Sequence, residues 1–183
     1  MSTSQPSPPK SPSAEDPLDQ RLVKRCGEVD PHDLNHLIER FGLHLSWHDL
    51  HDELPGSYWG APEAGLVGLS VHIRQDTPMH SLLHEAGHVI CMDPARRAVL
   101  HTEAGGEDVE ENSVCYLQIL LGDHISGVGR QRMMLDMDRW GYNFRLGSTR
   151  AWFEEDADDA LQWLQEHRLI DALEQIQWRL RGG

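Results

Sequence analysis

Thr77-Pro78-Met79-His80-Ser81-Leu82-Leu83-His84-Glu85-Ala86-Gly87-His88-Val89-Ile90-Cys91 is the stretch on which the reading of the whole chain turns. Thr77 and Pro78 have the form of an N-cap and a first-turn proline, so the spacing predicts a helix from Pro78 to about Cys91. At its centre stands H-E-x-x-H. The i, i+4 spacing puts the imidazoles of His84 and His88 one turn apart on a single face, where they can grip one Zn2+. Glu85 emerges beside them, able to take a proton from water at the cation without being a ligand itself. Leu82, Leu83, Ala86, Val89 and Ile90 give this helix the apolar surface of a buried element. Buried imidazoles and a buried carboxyl cost several kcal/mol without partners, and a metal is the simplest partner they can share. Gly87 costs about 1 kcal/mol in a helix interior, a cost that the close approach of another backbone would explain.

Two histidines are not a complete catalytic zinc site, which usually has three protein ligands and an open water position. The local extension H-E-x-x-H-x-x-G-x-x-H fails, because Cys91 and Pro94 stand where Gly and His are needed. Asp93 lies one residue off the Asp variant of that spacing. Cys91 shares the face of His84 at i+7 and is read as core packing. The next acidic run, Glu107-Asp108-Val109-Glu110-Glu111, opens a segment from Asp108 to Leu121 that is apolar around most of its circumference, as expected of a buried helix. Glu110 is followed at i+3, i+4, i+7 and i+11 by Ser113, Val114, Leu117 and Leu121, which places it on the inward face. Glu111 lines up with Cys115 and Gln118 instead. Glu110 is therefore favoured over Glu111 as the third ligand, with Glu107 and Asp108 as cap and helix-dipole residues.

Upstream, Asp30-Pro31 and the repeat Leu34, Leu37, Ile38, Phe41, closed by Gly42, predict an amphipathic helix from Pro31 to Phe41. Alternation over Leu43–Trp47 and Leu66–Ile73, with turn signals at Pro55-Gly56 and Gly60-Ala61-Pro62, predicts two or three short strands in a small sheet. Downstream, helices are expected at Arg130–Arg139 and Thr149–Glu166, and a shorter one before Gly182-Gly183. Trp152, Trp163 and Trp178, and the stripe Met133, Met134, Met137, read as packing between these helices. The fold class is α+β: a small, mostly antiparallel sheet packed on a pair of helices, with further helices at the C-terminal end. Residues 1–17 are Ser/Pro-rich and are expected to be a disordered tail, leaving 18–183 as a single domain.

The chain has 183 residues, 30 Asp+Glu against 16 Lys+Arg, and a formal net charge of −14. Such a surface repels phosphates, which argues against nucleic-acid or anionic-membrane partners. No apolar run approaches the roughly 20 residues that span a bilayer. Three scattered cysteines and no apolar signal core point to a reducing, cytoplasmic setting.

The order strand, H-E-x-x-H helix, loop and second helix opening on a ligand Glu resembles the gluzincin metallopeptidases. In its compact form it looks like the minigluzincins of the ImmA/IrrE type. Their second helix follows E-x-x-A-N-x-F-A-x-x-L-L, which Glu110, Ser113, Tyr116 and Leu120-Leu121 fit; Val114 and Leu117 depart from it. The resemblance covers about Leu66 to Leu121. It implies a zincin helix pair carrying one Zn2+ per chain, with His84, His88 and Glu110 as ligands and Glu85 as catalytic base, acting on a protein or peptide substrate. A peptide would lie along the edge strand near Leu66–Ile73. His101, His124, Tyr116 and Tyr142 are chemically suited to stabilise an oxyanion, and nothing in the sequence selects among them. Three other classes remain: a zinc-binding regulatory or interaction protein without proteolysis, a non-haem iron oxygenase using the same two-His-one-carboxylate set, and an acidic binding module built on Glu154, Glu155, Asp156, Asp158 and Asp159.

Overall fold

The structure is a computed structural model that describes residues 20–100 and 105–183. The expected tail over 1–17 and His101 lie outside the described residues.

Among the described residues, three strands and seven α-helices make up the fold. Helix α1 (Pro31–Glu39) begins where Asp30 accepts from the His32 N–H at 2.9 Å, and it buries Leu34, Leu37 and Ile38. Strand β1 (His44–His48) follows, then β2 (Gly65–Val67) and β3 (Ser70–Arg74). The sheet order is β1-β3-β2, with β3 antiparallel to β2 and parallel to β1. The expected mostly antiparallel sheet is thus mixed. The connection over residues 49–64 steps past one strand position to the outer edge, where β2 runs back antiparallel, and the tight turn after it lets β3 enter between β2 and β1, parallel to β1. Within it, Gly56 lies against β2: the Leu66 N–H donates to the Gly56 carbonyl at 3.2 Å, and a Cβ at Gly56 would collide with the Leu66 carbonyl. β3, with Val71 and Ile73, is central and has no free edge. The outward N–H of Leu66 on β2 is already taken, so the expected seat for a peptide along Leu66–Ile73 is closed there by the chain itself.

Helix α2 (Met79–Cys91) carries the histidine motif, and eleven of its residues are buried. Pro78, not Thr77, occupies the cap position. The Thr77 hydroxyl is drawn back to accept from the Arg74 N–H at 2.9 Å, which tightens the turn out of β3. A short α3 (Pro94–Ala98), too short to show a periodic pattern in the sequence, starts where Asp93 accepts from the N–H groups of Ala95 and Arg96, each at 3.0 Å.

Helix α4 (Asp108–Gly122) is the central element, buried on nearly every side. It runs opposite to α2: Gln118 meets His80, Val114 meets Gly87 and Glu111 meets His88. Helix α5 (Gly129–Trp140) buries Met133, Met134, Met137 and Trp140. The single helix expected over Thr149–Glu166 is two, α6 (Thr149–Glu155) and α7 (Asp158–Glu166), broken at Asp156, whose carboxylate is held by Arg145. The break lets Trp152 and the pair Ala160, Leu164 all turn inward. No helix forms over the last residues. They follow an irregular path, doubling back through an antiparallel Ile170–Ile176 bridge before the Arg181 N–H donates to the Ile90 carbonyl at 2.9 Å. Among the described residues, no helix is long and apolar enough to cross a membrane.

Candidate metal centre

The α2–α4 crossing sets the site. A Cβ on Gly87 would lie 2.9 Å from Val114 Cγ1 and 3.5 Å from the Val114 carbonyl oxygen, so the missing side chain lets the two helices approach. At that separation, side chains one turn to either side meet across the gap.

His84 and His88 converge. Their Nε2 atoms are 3.1 Å apart. The carboxylate facing both belongs to Glu111, with oxygens 3.2 Å from His84 Nε2 and 3.5 Å from His88 Nε2. Glu110, expected as the third ligand, is elsewhere: its carboxylate accepts from Arg96 Nη1 at 2.8 and 3.0 Å and lies 3.3 Å from Arg181 Nη1. The sequence pattern placed Glu110 inward, and it is 5% exposed. Inward at that turn, however, means toward α3 and the C-terminal segment, not toward α2. Arg96 belongs to a helix that the sequence reading lacked, so the competing partner was invisible. Gly106 is part of the same clamp, since a Cβ there would collide with the Glu110 carboxylate.

Behind His84, Gln118 Oε1 is 2.9 Å from Nδ1, while Gln118 Nε2 donates to the His80 carbonyl at 3.4 Å. An amide oxygen can only accept, so His84 carries a proton on Nδ1 and turns Nε2 toward His88 and Glu111. Two nitrogens and a carboxylate oxygen at such distances need something positive between them. Without a metal, a proton takes that place. Burial works against a charged His84, but Tyr142, Glu111 and Cys115 outweigh it and hold the imidazole well above its ordinary range. Burial, and the His84 charge facing it, keep His88 below its own. Glu111 is held below the usual carboxylate range: burial pushes up, but both imidazoles pull down harder.

The same geometry suits a cation. Donor atoms about 2.0–2.1 Å from a tetrahedral zinc stand roughly 3.3–3.4 Å from one another. The observed 3.1 Å between the two nitrogens, and 3.2 and 3.5 Å from them to Oε1 and Oε2 of the carboxylate, bracket that value. The residues present therefore fit a zinc ion with His84, His88 and Glu111 as protein ligands.

Glu85 follows His84 on α2, and its carboxyl is within electrostatic reach of His84, Glu111 and Glu63. Burial, with help from the charges of Glu111 and Glu63 and against that of His84, pushes its carboxyl up to about 7. Glu63, from the turn ahead of β2, is a second buried acid: Trp140 Nε1 donates to it at 2.9 Å, and burial pushes it up to about 7 as well. Tyr142 packs edge-on against His84 with ring centroids 6.0 Å apart, and its hydroxyl is 3.4 Å from His80 Nδ1. The other residues suited to an oxyanion stand apart: Tyr116 donates to Glu174 at 3.0 Å, and His124 packs edge-on against Trp178.

Glu63 had no signal in a turn-rich stretch. Glu111, Cys115 and Gln118 did have one: they form a polar stripe along an otherwise apolar buried helix, and buried polar atoms must find partners. Those partners are the imidazoles of α2. The chain matches no family model, no curated protein and no solved structure.

Proposed function

We propose that this chain is a zinc-dependent metallopeptidase, with one Zn2+ held by His84, His88 and Glu111. The observation that carries the reading is the convergence of the two Nε2 atoms, 3.1 Å apart, on one carboxylate. The H-E-x-x-H part of the resemblance to the gluzincins, and to their compact ImmA/IrrE-like members, supports the same reading; the second-helix pattern does not carry over, because Ser113, Tyr116 and Leu120-Leu121 fit it only with Glu110 at its head. Zinc supplies a Lewis acid there, lowering the pKa of water toward ~7 and polarising a carbonyl.

The chain's own groups do the rest. Gln118 fixes the His84 tautomer, so that Nε2 faces the cation. Glu85, one residue on from His84, is the general base. Its carboxylate accepts a proton from the attacking water and returns it to the leaving amine. Apolar walls from Leu82, Leu83, Val89 and Ile90 keep bulk water from the rear of the site. The substrate is a protein or peptide; the net charge of −14 disfavours nucleic acid and anionic membrane as partners. A cytoplasmic setting belongs to the same reading, supported by three buried, free cysteines.

Zinc content and peptide hydrolysis test this together. Purified protein carries one zinc, and His84→Ala and His88→Ala each lose it. Glu85→Gln keeps the zinc and loses at least ~100-fold in peptide hydrolysis, the low end for removing a general base. Unchanged zinc in both histidine variants, or hydrolysis untouched by Glu85→Gln, overturns the proposal.

A further inference from the structure

Beside the three ligands stands a fourth donor that the proposed hydrolysis does not use. Cys115 follows Glu111 at i+4 on α4, one turn along the same face. Its Sγ, a ring nitrogen of His84 and a Glu111 carboxylate oxygen all lie within 4.8 Å of one another. The thiol is buried, 1% exposed. The other two cysteines, Cys26 and Cys91, are equally buried but stand outside this cluster.

We propose that Cys115 is a fourth protein ligand to the cation held by His84, His88 and Glu111, closing the site in its resting state. The inference rests on the zinc-site reading above and adds regulation to it. With Zn–S near 2.3 Å and Zn–N near 2.0–2.1 Å, Sγ belongs about 3.6 Å from the other donor atoms. In the present geometry it stands within 4.8 Å of two of them, a His84 ring nitrogen and a Glu111 carboxylate oxygen, so ligation asks these side chains to close in on the cation. The ligand is the thiolate, so the S–H bond breaks, its proton passes to solvent and an S–Zn bond forms. Four protein ligands fill a tetrahedral zinc. Water then competes with Cys115 for one position, and hydrolysis begins only when the sulfur leaves it.

Cobalt(II) substitution reads this directly, because thiolate ligation gives a sulfur-to-cobalt charge-transfer band in the near ultraviolet that nitrogen and oxygen ligands lack. The full chain is stripped with chelator and titrated with Co2+, as are Cys115→Ser, Cys115→Ala, and the controls Cys26→Ser and Cys91→Ser. The expected result is the band at one equivalent in wild type and both controls. In both Cys115 variants the band is lost while one equivalent of Co2+ is still bound, about ten-fold or more weaker. One equivalent bound without the band in wild type, or a band that survives Cys115→Ser and Cys115→Ala, overturns the fourth ligand and leaves the three-ligand site standing. Cobalt binding indifferent to His84→Ala overturns both.

Discussion

Glu63 shows at the level of one residue how the molecule stores a polar group near its candidate centre. Its carboxyl is 4% exposed, accepts from the Trp140 indole and is pushed up to about 7 by burial, against the opposing effects of that bond and of His84. The consequence for stability has a definite sign. Below about 4.5, the ordinary value for Glu, folded and unfolded chains both hold the proton. As pH rises from there to about 7, the unfolded chain gives it up while the native carboxyl keeps it, so stability falls across that window and levels off above it. The loss amounts to about 3 kcal/mol. Glu63→Gln removes the ionisation and keeps an acceptor for the indole. Urea unfolding in the presence of chelator should find this variant more stable than wild type at pH 8 and equal to it near pH 4.5. The same difference at both pH values contradicts the assignment.

At the scale of elements, the α2–α4 crossing is what makes a site out of separate side chains. Ala in place of Gly87 gains about 1 kcal/mol of helix propensity. Its Cβ meets Val114 Cγ1 at 2.9 Å, and a β-branched neighbour has little freedom to move aside. Overpacking of this kind costs about 1–3 kcal/mol, so Gly87→Ala is expected to be net destabilising and to weaken zinc binding by prising His84 and His88 from Glu111. Adding Val114→Ala restores room, and zinc affinity recovers in the double variant. Recovery that fails to appear in competitive titrations with a metal indicator argues against the crossing as the determinant. How far these elements were legible follows from the same physics. Helix α2 and the strands could be read because local period and turn residues decide them. So could the inward face of α4, since burial follows periodicity. Which neighbour fills that face could not, because Arg96 and Arg181 reach Glu110 from a short helix and an irregular segment that have no periodic pattern. The parallel β1–β3 pairing was hidden for a like reason: it depends on the path of a long connection, not on the strands themselves.

Across the whole molecule, two adjacent glutamates divide the work. Glu110 joins distant parts of the chain: Arg96 of α3 and Arg181 of the C-terminal segment both close on it, while the Arg181 N–H holds the Ile90 carbonyl at the end of α2 and Arg97 holds the Arg181 carbonyl at 2.9 Å. This clamp seals the end of the α2–α4 pair without touching the imidazoles. Glu111 faces the other way, into the centre. Removing the charge of a buried carboxylate paired with two guanidiniums costs about 3 kcal/mol, whereas removing a ligand costs metal. The decisive measurement is zinc stoichiometry in Glu110→Gln and Glu111→Gln, purified side by side. The account predicts that Glu110→Gln unfolds at lower denaturant but retains one zinc per chain, and that Glu111→Gln folds without it. Zinc retained by Glu111→Gln and lost from a folded Glu110→Gln would contradict it.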